Sequence, residues 1–199
     1  MIPSSSVPQY VPEVIFHMRE RKKTSSSKTE DSDFEWARRT TSELFAGKRV
    51  LMFGVPAAFS PTCTDHHLPG YEAEYDRVCA AGGIHEIWCV SVNDAFVMFQ
   101  WAKQLGIRRV RMLPDGNADF TRAMGMLVRR SMQGYGERSW RYAAVVDDMR
   151  VVELFEEPGK MDDSPMDPFL TSGAEHILPR LANTTTMSKH RKQRENKRR

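Results

Sequence analysis

The sequence predicts an α/β domain with a central mixed β-sheet flanked by helices. Three observations carry this expectation. Short apolar runs at 49–53, 86–92 and 109–113 alternate with helical stretches, as parallel strands buried on both faces do. Two further runs, 140–146 and 151–155, are separated by little more than Asp147-Asp148, which reads as a β-hairpin. A closing helix is expected from Ser172 to about Ala182.

The elements follow in order. Residues 1–12 are rich in Pro and Ser and are expected to form a flexible N-terminus. Val14 to His17 reads as a short strand near the start of a folded domain spanning 13–182. Within that domain, residues 20–33 are polar, charged and nearly free of apolar side chains, and are expected to be a mobile loop. Thr41 to Phe45 is a helical turn stopped by Gly47. Ser60 to about Ala80 reads as a long helix, distorted at Pro69-Gly70 and closed by Gly82-Gly83. Asp94 caps the next helix, which stops at Gly106. Pro114-Asp115-Gly116 is a turn, and Ala118 to Met124 a short helix ended by Gly125. A Gly-rich loop at 133–136 and an acidic loop at 156–168 flank the hairpin. Residues 183–199 are expected to be a disordered basic tail.

The formal charge of +3 is unevenly spread. Residues 188–199 hold seven Lys or Arg against one Glu, so the rest of the chain is net negative. The basic balance belongs to the tail, and gives no reason to expect that the folded part binds nucleic acid or a membrane. The tail itself reads first as a solvated end, with nucleic-acid contact as a secondary use. Three cysteines do not describe a disulfide scaffold and fit a reducing compartment. No apolar run approaches a membrane helix, and the first residues lack a secretory pattern, so a cytoplasmic location is expected, with an organellar one, from the basic and Ser-rich stretch 19–28, as the alternative.

The most informative stretch is 53–63, FGVPAAFSPTC. A strand ends in a turn, and Ser60-Pro61 reads as the N-cap and first residue of a helix. Cys63 then falls in the first turn, where free amide N–H groups and the helix dipole attract an anion. An ordinary cysteine is only about 3% thiolate at pH 7, and the thiolate is the nucleophile.

Pro56-x-x-x-Ser60-x-x-Cys63 has the spacing of the peroxiredoxin motif Pro-x-x-x-Thr/Ser-x-x-Cys. The longer string FGVPAAFSPTCTDHHLPGYE is similar to the type II, peroxiredoxin-5-like subfamily. SVNDAFVM at 91–98, LPDG at 113–116 and ERSWRY at 137–142 also resemble segments of that subfamily, so the resemblance covers about residues 11–182. It implies a thioredoxin-like fold and reduction of hydrogen peroxide and organic hydroperoxides by a peroxidatic cysteine, Cys63, which becomes a sulfenic acid. By the same resemblance Ser60 and Arg141 donate to the peroxide, Arg141 favours the thiolate, and Pro56 shapes the pocket. A homodimer is likewise implied.

A sulfenic acid needs a second thiol to return to the reduced state. Cys79 lies sixteen residues along the predicted helix, roughly 24 Å at 1.5 Å per residue, which is beyond disulfide reach. Cys89 reads as a small buried side chain in a central strand, yet matches the second-cysteine position of plant-type members, and is the alternative resolving thiol. One-cysteine behaviour is the expectation, with glutathione and glutaredoxin, or thioredoxin, as external reductant and no bound cofactor. A metal site at Cys63, Asp65, His66 and His67 is not expected, because adjacent helical residues diverge and no second ligand cluster follows. His67 is expected to serve packing or a local hydrogen bond. The rival function is a redox-sensing or chaperone-like binding protein with the same fold and little turnover.

Overall fold

The structure, a computed structural model, describes residues 8–21 and 34–181. Its centre is a five-stranded sheet in the order β5-β4-β3-β8-β9. In chain order the first elements are β1 (Ile15–Arg21), β2 (Phe34–Thr40), α1 (Thr41–Phe45) and β3 (Arg49–Val55). A helical run from 61 leads into a π-helical turn at Cys63–His67, then α2 (Leu68–Ala73) and α3 (Tyr75–Gly82). Next come β4 (Glu86–Ser91), α4 (Ala95–Gln104), β5 (Arg111–Pro114), α5 (Asp119–Ala123) and β6 (Leu127–Arg130). The chain continues through β7 (Gly136–Ser139), β8 (Tyr142–Asp147) and β9 (Arg150–Glu156) to a last helix, α6, at 174–181.

Strands β3, β4 and β5 run parallel, while β8 and β9 are antiparallel additions. The alternation along β3 shows why its sequence is apolar after Arg49. Leu51, Phe53 and Val55 join a core with Leu68, Tyr71, Trp101 and Ile177 on one face. Val50 and Met52 join Phe45, Trp88, Phe120 and Trp140 on the other. Both faces are covered from Val50 onward, so after Arg49 no position in the strand is left for a polar side chain.

The register also sets the geometry of the site. Because β8 is antiparallel to β3, its first residue, Tyr142, lies opposite Gly54 near the end of β3. Arg141, immediately before β8, therefore arrives at the same edge as the turn after β3. Gly54 has no room for a side chain there: a Cβ would stand 2.2 Å from the Tyr142 ring and 2.9 Å from Ser139 Oγ. Glycine is required for close approach, not for an unusual dihedral.

Several expectations need correction. The N-terminal segment is not loose throughout, since Val11 is buried and its N–H donates to Met149 O, and Tyr10 bridges to Arg150. Glu20 and Arg21 belong to β1, which pairs with β2, a strand the sequence reading missed. Residues 22–33 and the tail lie outside the described residues. The expected helix from Ser60 is broken at Glu74, where φ −92° and ψ 11° end α2 and begin α3, not at Pro69, which sits in the first turn of α2. A small β6–β7 hairpin replaces part of the expected Gly-rich loop. It was hidden because charged residues alternate with few apolar ones in LVRR and GERS.

Candidate active site

The turn after β3 is held from the sheet. Ser91 Oγ donates to Asn93 Oδ1 at 2.7 Å, and that oxygen also accepts from Ala58 N–H at 3.0 Å. The strained residue of the turn is Phe59, with φ 64°, so Ala57 bears no left-handed conformation. Ser60 precedes the first helical residue as expected, but its hydroxyl donates to Ala57 O at 2.9 Å. Its carbonyl accepts from Thr64 N–H at 2.9 Å and starts the helix.

Cys63 opens the π-helical turn and is fully buried. One more residue per turn than an α-helix rotates the following side chains, and such turns recur at functional sites. Arg141, 1% exposed, reaches the sulfur from the entry of β8, beside the end of β3. Its Nη1 donates to Cys63 Sγ at 3.4 Å and to His67 Nδ1 at 3.2 Å. Its Nη2 donates to both oxygens of Asp167, at 2.6 and 2.7 Å. Burial works against the Arg141 charge, but the Cys63 sulfur and the Asp167 carboxylate outweigh it and raise its pKa above the ordinary arginine value. Arg141 Nε is buried and has no partner among the described residues.

His67 does pack in the core, as expected, but its hydrogen bonds are long-range rather than local. It is fully buried, and its Nε2 lies 3.1 Å from Ser172 O, which also accepts from Tyr71 O–H at 2.6 Å. A carbonyl only accepts, so Nε2 carries the proton and Nδ1 is free to accept from Arg141. Burial, with the Arg141 charge beside it, pushes the His67 pKa well below the usual histidine value and keeps the ring neutral. Phe53 and Phe169 pack against the imidazole, at 4.7 and 4.9 Å between ring centres.

Cys89 lies in β4, in register with Phe53 and in the same core cluster as Cys63. Burial pushes its thiol well above the ordinary range. Cys79 is half-buried on α3, and all three cysteines are free thiols. A cleft of about 190 Å³ adjoins the site, lined by Pro56, Ser60, Pro61, Tyr135, Met166 and Asp167 among others. A larger cavity of about 430 Å³ lies between β1, α4 and the β4–β5 edge of the sheet and includes none of these site residues. The structure thus gathers Cys63 and Arg141 in one contact and Pro56 and Ser60 at the adjoining cleft. It adds His67, Asp167 and the Ser172 carbonyl, which sequence reasoning missed. The one local signal was Asp167 in the acidic loop, and nothing near it in sequence points to Arg141.

Comparison with known proteins places the chain in a family. The redoxin family model matches residues 27–170. Peroxiredoxin sll1621 of Synechocystis sp. is 47% identical over 174 residues, 87% of this chain and 90% of the relative. The chain belongs to the type II, peroxiredoxin-5-like peroxiredoxins. The hybrid peroxiredoxin hyPrx5 of Haemophilus influenzae is 41% identical over 90% of this peroxiredoxin and 67% of its own length. Among solved structures, the Plasmodium falciparum antioxidant protein, a 1-Cys peroxiredoxin, superposes with a TM-score of 0.81 at 33% identity, covering 87% of this chain and 98% of its own. Reduced Prx3 from Vibrio vulnificus in complex with hydrogen peroxide gives 0.72 at 36% identity, covering 88% and 95%. This peroxiredoxin has the thioredoxin-like fold and is a thiol-dependent peroxidase. Among the described residues no helix is long and apolar enough to cross a membrane.

Proposed function

We propose that Cys63 is the peroxidatic nucleophile and that Arg141, Ser60 and Pro56 complete its site. The observation that carries this reading is the contact between Arg141 Nη1 and Cys63 Sγ, made by residues 78 positions apart. A hydrogen bond from a guanidinium to a thiolate is charge-assisted and stronger than one to a neutral thiol. In the reaction the thiolate sulfur attacks the terminal oxygen of the hydroperoxide. The S–O bond forms as the O–O bond breaks, Cys63 becomes a sulfenic acid, and the leaving oxygen departs as hydroxide or alkoxide and takes a proton from water. Arg141 holds its charge through this step and stabilises the oxygen on which charge develops. Ser60 presents a hydroxyl at the mouth of the cleft, and Pro56 is a buried wall beside it.

The sulfenic acid is returned by an external thiol, glutathione with glutaredoxin or thioredoxin, in one-cysteine fashion. The first thiol displaces water to give a mixed disulfide, and a second releases the Cys63 thiol. The pairing of Cys89 on both sides within β4 supports this over an internal disulfide. We further read the protein as a cytoplasmic homodimer without a bound cofactor. Exposed Trp36, Phe59 and Phe96, with Trp36 edge-on to Phe96, support an association face.

Side-by-side turnover with glutathione–glutaredoxin and thioredoxin systems tests the reading. Cys63→Ser is expected to abolish peroxide reduction with either system, and retained turnover refutes the assignment. Non-reducing mass measurement after one equivalent of peroxide is expected to show oxidation at Cys63 alone. An internal Cys63–Cys89 disulfide overturns the one-cysteine part.

A further inference from the structure

The segment from Ser164 to Ser172 crosses the site without regular secondary structure. Yet it supplies three groups to the Arg141–His67 pair: the Asp167 carboxylate, the Phe169 ring and the Ser172 carbonyl. A segment with no ladder of its own needs anchors if it is to hold those groups to within a fraction of an ångström. One anchor is buried Arg130, whose guanidinium donates to Ser164 O and Met166 O. The other is Glu157, just after β9.

Glu157 is 1% exposed, and its carboxylate is wholly occupied. It accepts from the backbone N–H groups of Leu170 at 2.8 Å, Thr171 at 2.9 Å and Ser172 at 2.9 Å, and from Ser172 Oγ at 2.7 Å. Burial disfavours its charge, but these donors prevail and hold its pKa below the ordinary glutamate value. An anion wrapped by consecutive amides fixes their orientation, and therefore the direction of the Ser172 carbonyl that follows. Glu157 touches neither Cys63 nor Arg141 through its side chain. Its backbone N–H does donate to Arg141 O at 3.1 Å, which ties the same residue to the strand entry.

We propose that Glu157 is a positioning residue for peroxide reduction: it orients the 170–172 backbone so that Ser172 O holds His67 as the Nε2–H tautomer, whose Nδ1 aims Arg141 at Cys63. The inference rests on the reading of Cys63 and Arg141 given above. Its physical content is acceptor supply. Arg141 Nη1 needs an acceptor on its His67 side, and only the Nε2–H tautomer offers a lone pair there. If Ser172 O turns away, the ring is free to take the other tautomer, which sets an N–H against the guanidinium.

The test is Glu157→Gln, which keeps the shape but replaces one acceptor oxygen with a donor. The second-order rate of Cys63 oxidation by hydrogen peroxide is expected to fall about 10–100-fold, the scale of a small misplacement of a catalytic group. Alkylation of Cys63 by iodoacetamide at its high-pH plateau, which does not use Arg141 to support a leaving oxygen, should stay within about twofold. Ring ¹⁵N NMR should report His67 as the Nε2–H tautomer in the wild type and as a mixture in the variant. A folded variant that keeps its peroxide rate overturns the proposal, and so does a parallel fall of both rates. A wild-type Nδ1–H tautomer overturns it without any variant. If Glu157→Gln does not fold, Ser172→Ala removes one of the four donors to the carboxylate and should lower the peroxide rate about threefold. No change in that variant overturns the proposal. Wild-type protein that forms no Cys63 sulfenic acid refutes the site reading itself, whereas normal oxidation of both wild type and Glu157→Gln refutes only the role of Glu157.

Discussion

Cys63 and Cys89 are both fully buried in the same core cluster, and Cys89 is paired in register with Phe53, whose ring packs against His67 one helical turn after Cys63. Their surroundings nevertheless differ in kind. Cys89 sits mid-strand between β3 and β5, where its backbone is paired on both sides and burial makes its thiol harder to ionise. Cys63 opens a helical turn and receives an N–H from a guanidinium that is itself kept charged by Asp167. The difference teaches that burial alone silences a cysteine. On the proposed reading, Cys63 reacts because the fold also buries a cation beside it, and a carboxylate offsets that cation's own desolvation.

The comparison can be broken most severely at the cation. Arg141→Ala should lower the rate of peroxide reduction about 10²–10³-fold, the cost of losing a preorganised donor to developing charge. Its partner Asp167 is 41% exposed and can be solvated, so stopped-flow oxidation of a folded variant is measurable. An Arg141→Ala enzyme within tenfold of wild type would mean that Cys63 and Cys89 differ for some other reason.

A smaller effect tests the other side. Cys89→Ala should leave peroxide turnover within about twofold and cost roughly 1 kcal/mol of stability in denaturant unfolding, as the removal of one buried heavy atom does. Loss of turnover in that variant would give Cys89 a chemical part and erase the contrast.

A third effect, read in stability and not in turnover, concerns the polar surroundings of Cys63. His67 has a folded pKa well below its unfolded value near 6.5, so the unfolded chain binds the extra proton first. Stability from this group is therefore complete above about pH 6.5 and is lost as pH falls below it, at up to about 1.4 kcal/mol per pH unit for one proton. Denaturant midpoints measured from pH 7 to pH 5 should show this slope in the wild type. His67→Phe should flatten it, whereas Cys89→Ala should not.

How much of this was legible depends on distance along the chain. The strands at 49–53, 86–91 and 142–147 were readable because a strand buried on both faces leaves a continuous apolar run. The hairpin strand Phe34–Thr40 was not, because its positions are exposed or half-buried and carry FEWARRT, which shows no apolar alternation. The helix start at Ser60-Pro61 was legible from capping chemistry, although the hydroxyl turned out to donate to Ala57 O. Asp94 as a cap was legible for the same reason, and its carboxylate accepts from Phe96 and Val97 N–H. Arg141 came from resemblance alone, since no local rule links it to Cys63.

By itself the sequence determined where Cys63, the proposed nucleophile, would stand: at the end of a buried strand, in the first turn of a helix, within a motif shared with peroxiredoxins. These are short-range properties, set by capping, periodicity and residue spacing. Only the tertiary structure decided what surrounds that cysteine. The antiparallel pairing of β8 with β3 carries Arg141 to the sulfur, the loop after β9 brings Asp167 and the Ser172 carbonyl, and Glu157 holds that loop. Each of those contacts joins residues that the chain sequence keeps apart. Their geometry is the outcome of sheet register and buried hydrogen bonding, which no local stretch of residues encodes.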